Sequence, residues 1–248
     1  MADEDPEPLP KQEWARVDRA PVALALDAPD LATATAWAGA AAPFLAAVKV
    51  GLETYLRDGA HGVRQILAAA RPKPDLFLDL KLHDIPNTVA GAARSVAPLE
   101  PAILTVHALG GQAMIAAAAE ALPDTRIAAV TVLTSMDADA LAAVGIPSDP
   151  RDEVLTLARM AVAAGARALV CSPQEVSAVR AVVDDDVLLI TPGVRPAGGE
   201  VGDQRRVATP EAALAAGSDL LVVGRPITAE ADVAAACRRW GSLSSGNG

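Results

Sequence analysis

Cysteine is nearly missing from this chain. Cys171 and Cys237 are the only two in 248 residues, far apart and in no Cys-x-x-Cys spacing, which excludes a disulfide framework and a cysteine-based zinc site. Aromatic residues make up only 2 %, and three scattered tryptophans do not build a base-stacking platform. The histidines, His61, His83 and His107, show no His-x-x-x-His or similar ligand spacing. No metal is therefore expected; they read as structural or loop histidines, with His107 a candidate to line a site from its strand end. Basic side chains are outnumbered, 21 against 31 acidic ones, for a formal net charge of −10. Such a surface repels polyanions, so nucleic acid and anionic membranes are excluded as partners. Any phosphate has to be held by a local basic cluster.

Long apolar runs are missing too. The longest uncharged stretch, residues 31–48, is alanine-rich and broken by Thr33, Thr35, Gly39 and Pro43, too weakly apolar for a membrane span. The N-terminal Met-Ala-Asp-Glu-Asp-Pro lacks the basic start and apolar stretch of a secretory signal. A soluble chain in the reducing cytoplasm is expected.

What is present is a regular βα pattern. The chain is 52 % hydrophobic and 21 % charged, enough to bury one large core. Strand-like runs at 22–27, 45–51, 76–81, 103–108, 127–134, 168–172, 188–193 and 220–224 are each followed by an alanine-rich, helix-like stretch. Eight units of roughly 28 residues fit a closed (β/α)8 TIM barrel better than an open sheet. The expectation is one α/β barrel domain over 19–240, a flexible acidic, proline-rich tail at 1–18 and a second flexible tail at 241–248. Asp30, Ser172-Pro173 and Thr209-Pro210 are expected helix caps.

The most informative segment is Leu76-Phe77-Leu78-Asp79-Leu80-Lys81-Leu82. Leucine occupies every second position, so one face packs under the helices and turns Phe77, Asp79 and Lys81 toward the barrel axis. The charges then sit at the strand's C-terminal end, where barrels place catalytic groups. A buried ion pair that merely holds the barrel together is the plain alternative. Desolvation costs several kcal/mol per ion, whereas a pair at 4 Å recovers about 4 kcal/mol at an effective dielectric of 20, so stability alone is a poor reason for it. Function is the better reading. Ala23, Ala25 and Asp27 share one parity in the first strand, and Leu45, Ala47 and Lys49 share one in the second. Both charges are expected to face inward.

After the seventh strand come Thr191-Pro192-Gly193-Val194-Arg195, a glycine-rich stretch, and Gln204-Arg205-Arg206; after the eighth comes Val223-Gly224-Arg225-Pro226. Barrels commonly bind phosphate in these two loops, through amides exposed by glycine and through arginine. The glycine-rich stretch is an expected lid over bound ligand.

Asp79-Leu80-Lys81-Leu82-His83-Asp84-Ile85-Pro86-Asn87-Thr88 resembles the Asp-x-Lys-x-x-Asp-Ile-Pro-Asn-Thr signature of orotidine 5'-phosphate decarboxylases. The resemblance runs on through Ala25-Leu26-Asp27, Lys49-Val50-Gly51, Thr105-Val106-His107-Ala108, Leu133-Thr134-Ser135 and both arginine loops. It implies conversion of orotidine 5'-monophosphate to uridine 5'-monophosphate in pyrimidine biosynthesis, without cofactor, by a homodimer with shared active sites. It also implies a charge array of Lys49, Asp79 and Lys81, joined by Asp84 of the second subunit. Asp27 and Lys49 are then set to hold ribose hydroxyls, with Thr88 of the partner chain helping and Ile85 also in contact with substrate. Thr134 and Gln204 are set to contact the pyrimidine, and Gln204, Arg195, Gly224 and Arg225 the phosphate.

Loss of CO2 leaves a carbanion at C6 that no carbonyl delocalises, so the site has to stabilise it electrostatically and supply a proton. Lys81 is the candidate for both. Magnesium-dependent sugar-phosphate decarboxylases or aldolases that share Asp-x-Lys-x-x-Asp are an alternative. Their second strand supplies an acidic metal ligand, where this chain has Lys49. A barrel that binds a phosphorylated ligand without turnover is a third reading.

Overall fold

Each apolar run is short and flanked by turn residues, and each alanine-rich segment is long enough for two or three helical turns, so strands and helices alternate. In the computed structural model, which describes residues 19–195 and 208–243, eight parallel strands close a barrel in chain order. They are β1 (Ala20–Ala25), β2 (Leu45–Gly51), β3 (Asp75–Leu82), β4 (Ile103–His107), β5 (Arg126–Val130), β6 (Ala168–Val170), β7 (Leu188–Pro192) and β8 (Leu220–Val223). The helices are α1 (Leu31–Ala41), α2 (Leu52–Ala69), α3 (Pro86–Val96), α4 (Gln112–Ala121) and α5 (Ala138–Ala143). They continue as α6 (Pro150–Ala163), α7 (Val176–Arg180), α8 (Pro210–Ala215), α9 (Arg225–Thr228) and α10 (Val233–Trp240). The expected tail at 1–18, the glycine-rich lid, Gln204, and residues 244–248 lie outside the described residues. Among the described residues no helix is long and apolar enough to cross a membrane.

The two faces of the sheet bury different side chains. Leu24, Val48, Leu78, Leu104 and Leu189 point outward into the core shared with the helices. Ala23, Ala47, Ala128 and Ala168 point into the lumen, and the space they leave is filled by Phe77, Leu188 and Leu220. Leu45 departs from its expected parity: it packs with the helix-side core, just before the β1–β2 register shifts.

Several expected strands stop short at their C-terminal ends. The fifth ends at Val130, the sixth at Val170 and the eighth at Val223, because the residues beyond leave the ladder to form the barrel mouth. Asp30 and Thr209 cap helices as expected, accepting from the backbone N–H of Thr33 at 2.7 Å and of Ala212 at 3.2 Å. Ser172 does not. Helix α7 starts later, and the buried Glu175 carboxylate instead takes the Ser172 N–H at 3.0 Å. Gly241 continues the last helix by donating to the Cys237 carbonyl at 2.8 Å, and Leu243 rests on the core.

Phe77, only 2 % exposed, is the largest side chain in the lumen cluster. Phe77→Ala leaves a cavity that the surrounding backbone of a closed barrel is poorly able to collapse. It is expected to cost about 3–5 kcal/mol, read from the urea midpoint at unchanged m-value.

Candidate active site

At the C-terminal mouth of the barrel lies a cavity of about 480 Å³. On β3 the leucine alternation buries Leu76 and Leu78 outward and stacks Asp79 and Lys81 above Phe77 on the inner face, where all three line the cavity. On β1 and β2 the small residues Ala25 and Ala47 leave room for Asp27 and Lys49. The loop carrying Asp27 is tied down by α2: Thr54 donates to the Leu26 carbonyl and Arg57 to the Ala28 carbonyl, both at 2.5 Å.

The charges alternate in space as well as in sequence. Lys49 Nζ lies 3.7 Å from Asp27 Oδ1 and 3.2 Å from Asp79 Oδ2, while Lys81 Nζ donates to Asp79 Oδ1 at 2.8 Å. Burial alone would push the Asp79 carboxyl up, but Lys49 and Lys81 outweigh it and hold the group below its usual range. The carboxylate is thus charged, 13 % exposed, and gripped from both sides.

Two features here are invisible to periodicity. Lys81 has a backbone φ of +48°, in the left-handed region, and its N–H donates to Thr105 Oγ1 on β4 at 2.8 Å. The second is Gly51, where β2 passes into α2. A Cβ at that position would lie 2.9 Å from Asp27 Oδ1 and 3.0 Å from Lys49 Nζ, so the charges can close up only beside a glycine.

The other side of the cavity is different in character. Val130 and Val132, Val170 and Cys171 give it an apolar wall. Both thiols are buried, and Cys171 faces the cavity; its neighbour Val170 shares parity with Ala168 in the lumen and could have been found by counting. Thr134, Arg195, Gly224 and Arg225 also line it. Arg195 is set by its backbone N–H, which donates to the Ala208 carbonyl at 2.9 Å.

Eight of the expected site residues, Asp27, Lys49, Asp79, Lys81, Thr134, Arg195, Gly224 and Arg225, thus share one cavity. Asp84, Ile85 and Thr88 do not join it. All three are exposed: Asp84 and Ile85 on the turn from β3 into α3, where Asp84 Oδ1 accepts the Ile85 N–H at 2.7 Å, and Thr88 in the first turn of α3. Gln204 falls outside the described residues. His107 stacks on His83, ring centroids 5.4 Å apart, rather than lining the cavity. Burial, with His83 and Lys81 nearby, holds its imidazole below the usual range, and its Nδ1 has no hydrogen-bond partner among the described residues.

Comparison with known proteins follows the same outline. The family model described as "Orotidine 5'-phosphate decarboxylase / HUMPS family" matches residues 20–240. An orotidine 5'-phosphate decarboxylase of Thermobifida fusca is 66 % identical over 217 residues, 88 % of this chain and 92 % of the relative. One from Frankia casuarinae is 57 % identical over 235 residues, 89 % and 86 % of the two chains. The crystal structure of orotidine 5'-phosphate decarboxylase from Lactobacillus acidophilus superposes with a TM-score of 0.77 at 36 % identity, covering 89 % of this chain and 97 % of that one.

Gly51→Ala inserts a methyl group between two flexible charged tips rather than into backbone. The expected result is a barrel that melts near the parent's temperature but loses about 10- to 100-fold in kcat/KM through misplaced charges, measured by thermal melting and steady-state kinetics side by side.

Proposed function

This chain belongs to the orotidine 5'-phosphate decarboxylase / HUMPS family, and from that premise we propose how its cavity converts orotidine 5'-monophosphate to uridine 5'-monophosphate and CO2. The observation that carries the reading is Asp79 bridging Lys49 and Lys81 on one wall of a cavity whose rim also holds Arg195 and Arg225. The basic loops bind the phosphate, with Gly224 giving the anion close access to the backbone. Asp27 and Lys49 hold the ribose hydroxyls, and Thr134 and Gln204 meet the pyrimidine.

With both ends of the nucleotide held, the C6 carboxylate faces Asp79. The bond from C6 to the carboxyl carbon breaks, CO2 leaves, and the electron pair stays on C6 beside the Lys81 ammonium. A proton moves from Lys81 Nζ to C6, and the amine is reprotonated from water. Repulsion between Asp79 and the departing carboxylate adds to the driving force. Binding energy from the remote phosphate and ribose is expressed in the transition state.

The magnesium-dependent alternative is disfavoured by the donor set. The Lys49 ammonium stands beside Asp27 and Asp79, neutralising the carboxylates a divalent cation would need. The reaction as drawn requires no cofactor, and its setting is the cytoplasm.

We further propose that the working unit is a homodimer in which the partner subunit's Asp84 completes the charge array, with the partner subunit's Ile85 and the partner subunit's Thr88 against the nucleotide. In support, the 83–88 segment is exposed throughout. Ile85 is 66 % exposed and Leu109, beyond the stacked His107, 39 %, apolar area suited to a second copy.

Purified protein given orotidine 5'-monophosphate in the presence of a chelator is expected to lose substrate absorbance and release CO2. Lys81→Ala should abolish turnover while still binding uridine 5'-monophosphate; binding without turnover by the parent protein would overturn the decarboxylase assignment. For the shared site, Lys81→Ala and Asp84→Ala chains are co-expressed with different tags. The purified heterodimer is expected to show about half the parent activity, one intact site in two, although each homodimer is inactive. An inactive heterodimer would exclude sharing.

A further inference from the structure

We propose that Thr105 is a positioning residue whose hydroxyl fixes the Lys81 backbone and the Asp79 carboxylate together, and so sets where the Lys81 ammonium sits. This role, which rests on the decarboxylase reading above, follows from how β3 and β4 pair. The ladder is regular at Leu78↔Leu104, and the next pair is Leu82↔Val106. Asp79, Leu80 and Lys81 are therefore matched by the single residue Thr105. The surplus chain arches as a bulge, and the arch is completed by the left-handed backbone of Lys81.

A bulge releases backbone groups from the ladder, and one of them is captured by a side chain. The Lys81 N–H donates to Thr105 Oγ1 at 2.8 Å. That hydroxyl then donates its own proton to Asp79 Oδ1 at 3.1 Å, the oxygen that also accepts from Lys81 Nζ at 2.8 Å. A hydroxyl can accept and donate at once, and here both capacities are used inside a closed ring that starts at the Lys81 amide and returns to the Lys81 ammonium. Thr105 is fully buried, so no water replaces it.

A residue that only fills space between strands would not need the hydroxyl. Valine has nearly the same shape but leaves the Lys81 N–H and one Asp79 lone pair without this partner. The Asp79 carboxylate is then free to turn toward Lys49, and the ammonium of Lys81 follows it.

The test compares Thr105→Val and Thr105→Ser with the parent protein. Thr105→Val is expected to lower kcat for orotidine 5'-monophosphate about 100-fold, the scale of an ångström-sized misplacement, with affinity for uridine 5'-monophosphate little changed because phosphate and ribose contacts are untouched. Thr105→Ser, which keeps the oxygen and drops the methyl, is expected to recover most of kcat. If Thr105→Val does not fold, Thr105→Cys, similar in size with a far weaker donor and acceptor, takes its place with the same expected loss. Parent-like kcat in the valine or cysteine variant would overturn the role, as would a serine variant as slow as either. A parent protein that binds the nucleotide without turning it over would instead overturn the decarboxylase reading beneath it.

Discussion

Taking a carboxylate out of water costs several kcal/mol unless opposite charge and hydrogen bonds replace the lost hydration. At Asp79 that replacement comes from two ammonium groups, Lys49 and Lys81, within 3.2 and 2.8 Å, and from the Thr105 hydroxyl. None of the members is stable in place without the others: removing either lysine leaves a buried charge half compensated, and removing Asp79 leaves two cations facing each other. The rest of the mouth is arranged around this constraint. Gly51 carries no side chain because the charges close over it, and α2 ties down the loop of Asp27, which takes the outer side of Lys49.

Barrel closure is what makes the arrangement rigid. Lys49 and Asp79 come from neighbouring strands whose backbones pair in fixed register, Lys49 beside Phe77 and Gly51 beside Asp79, so their spacing is set by the ladder rather than by flexible loops. The cavity is charged along β1 to β3 and apolar along β5 and β6. A flat heterocycle can lie on the apolar wall with its reacting carbon toward the charges, while an anionic end reaches the arginine loops. A low-dielectric wall also strengthens the field that the lysines exert on a developing carbanion.

The alternation of Leu76, Leu78, Leu80 and Leu82 with Phe77, Asp79 and Lys81 made the inner face of β3 readable directly, and the same parity rule placed Asp27 and Lys49. Parity misplaced Leu45, which packs with the helix-side core although Ala47, two residues on, faces the lumen. The bulge at Lys81 left no trace in the pattern: the leucines keep their beat through Leu82, and no glycine marks the left-handed residue. Thr105 was hidden for a related reason, since which residue of β4 meets the arch depends on cross-strand register, a non-local property. Ser172 looked like a cap because Pro173 follows it, but Glu175 captures its N–H first. The roles given to Asp84, Ile85 and Thr88 came from the family resemblance alone; within one chain they sit on the rim, out of reach of the cavity they follow so closely in sequence.

The left-handed lysine has a cost that the sequence conceals. A β-carbon in that region is disfavoured by about 1–2 kcal/mol relative to the ordinary helical well, a penalty glycine would not bear. Breeding this chain purely for heat resistance would therefore pull two ways at position 81, since glycine relieves the backbone but strips the buried Asp79 carboxylate of one of its two ammonium partners. Any thermostabilisation campaign has to screen for turnover from its first round.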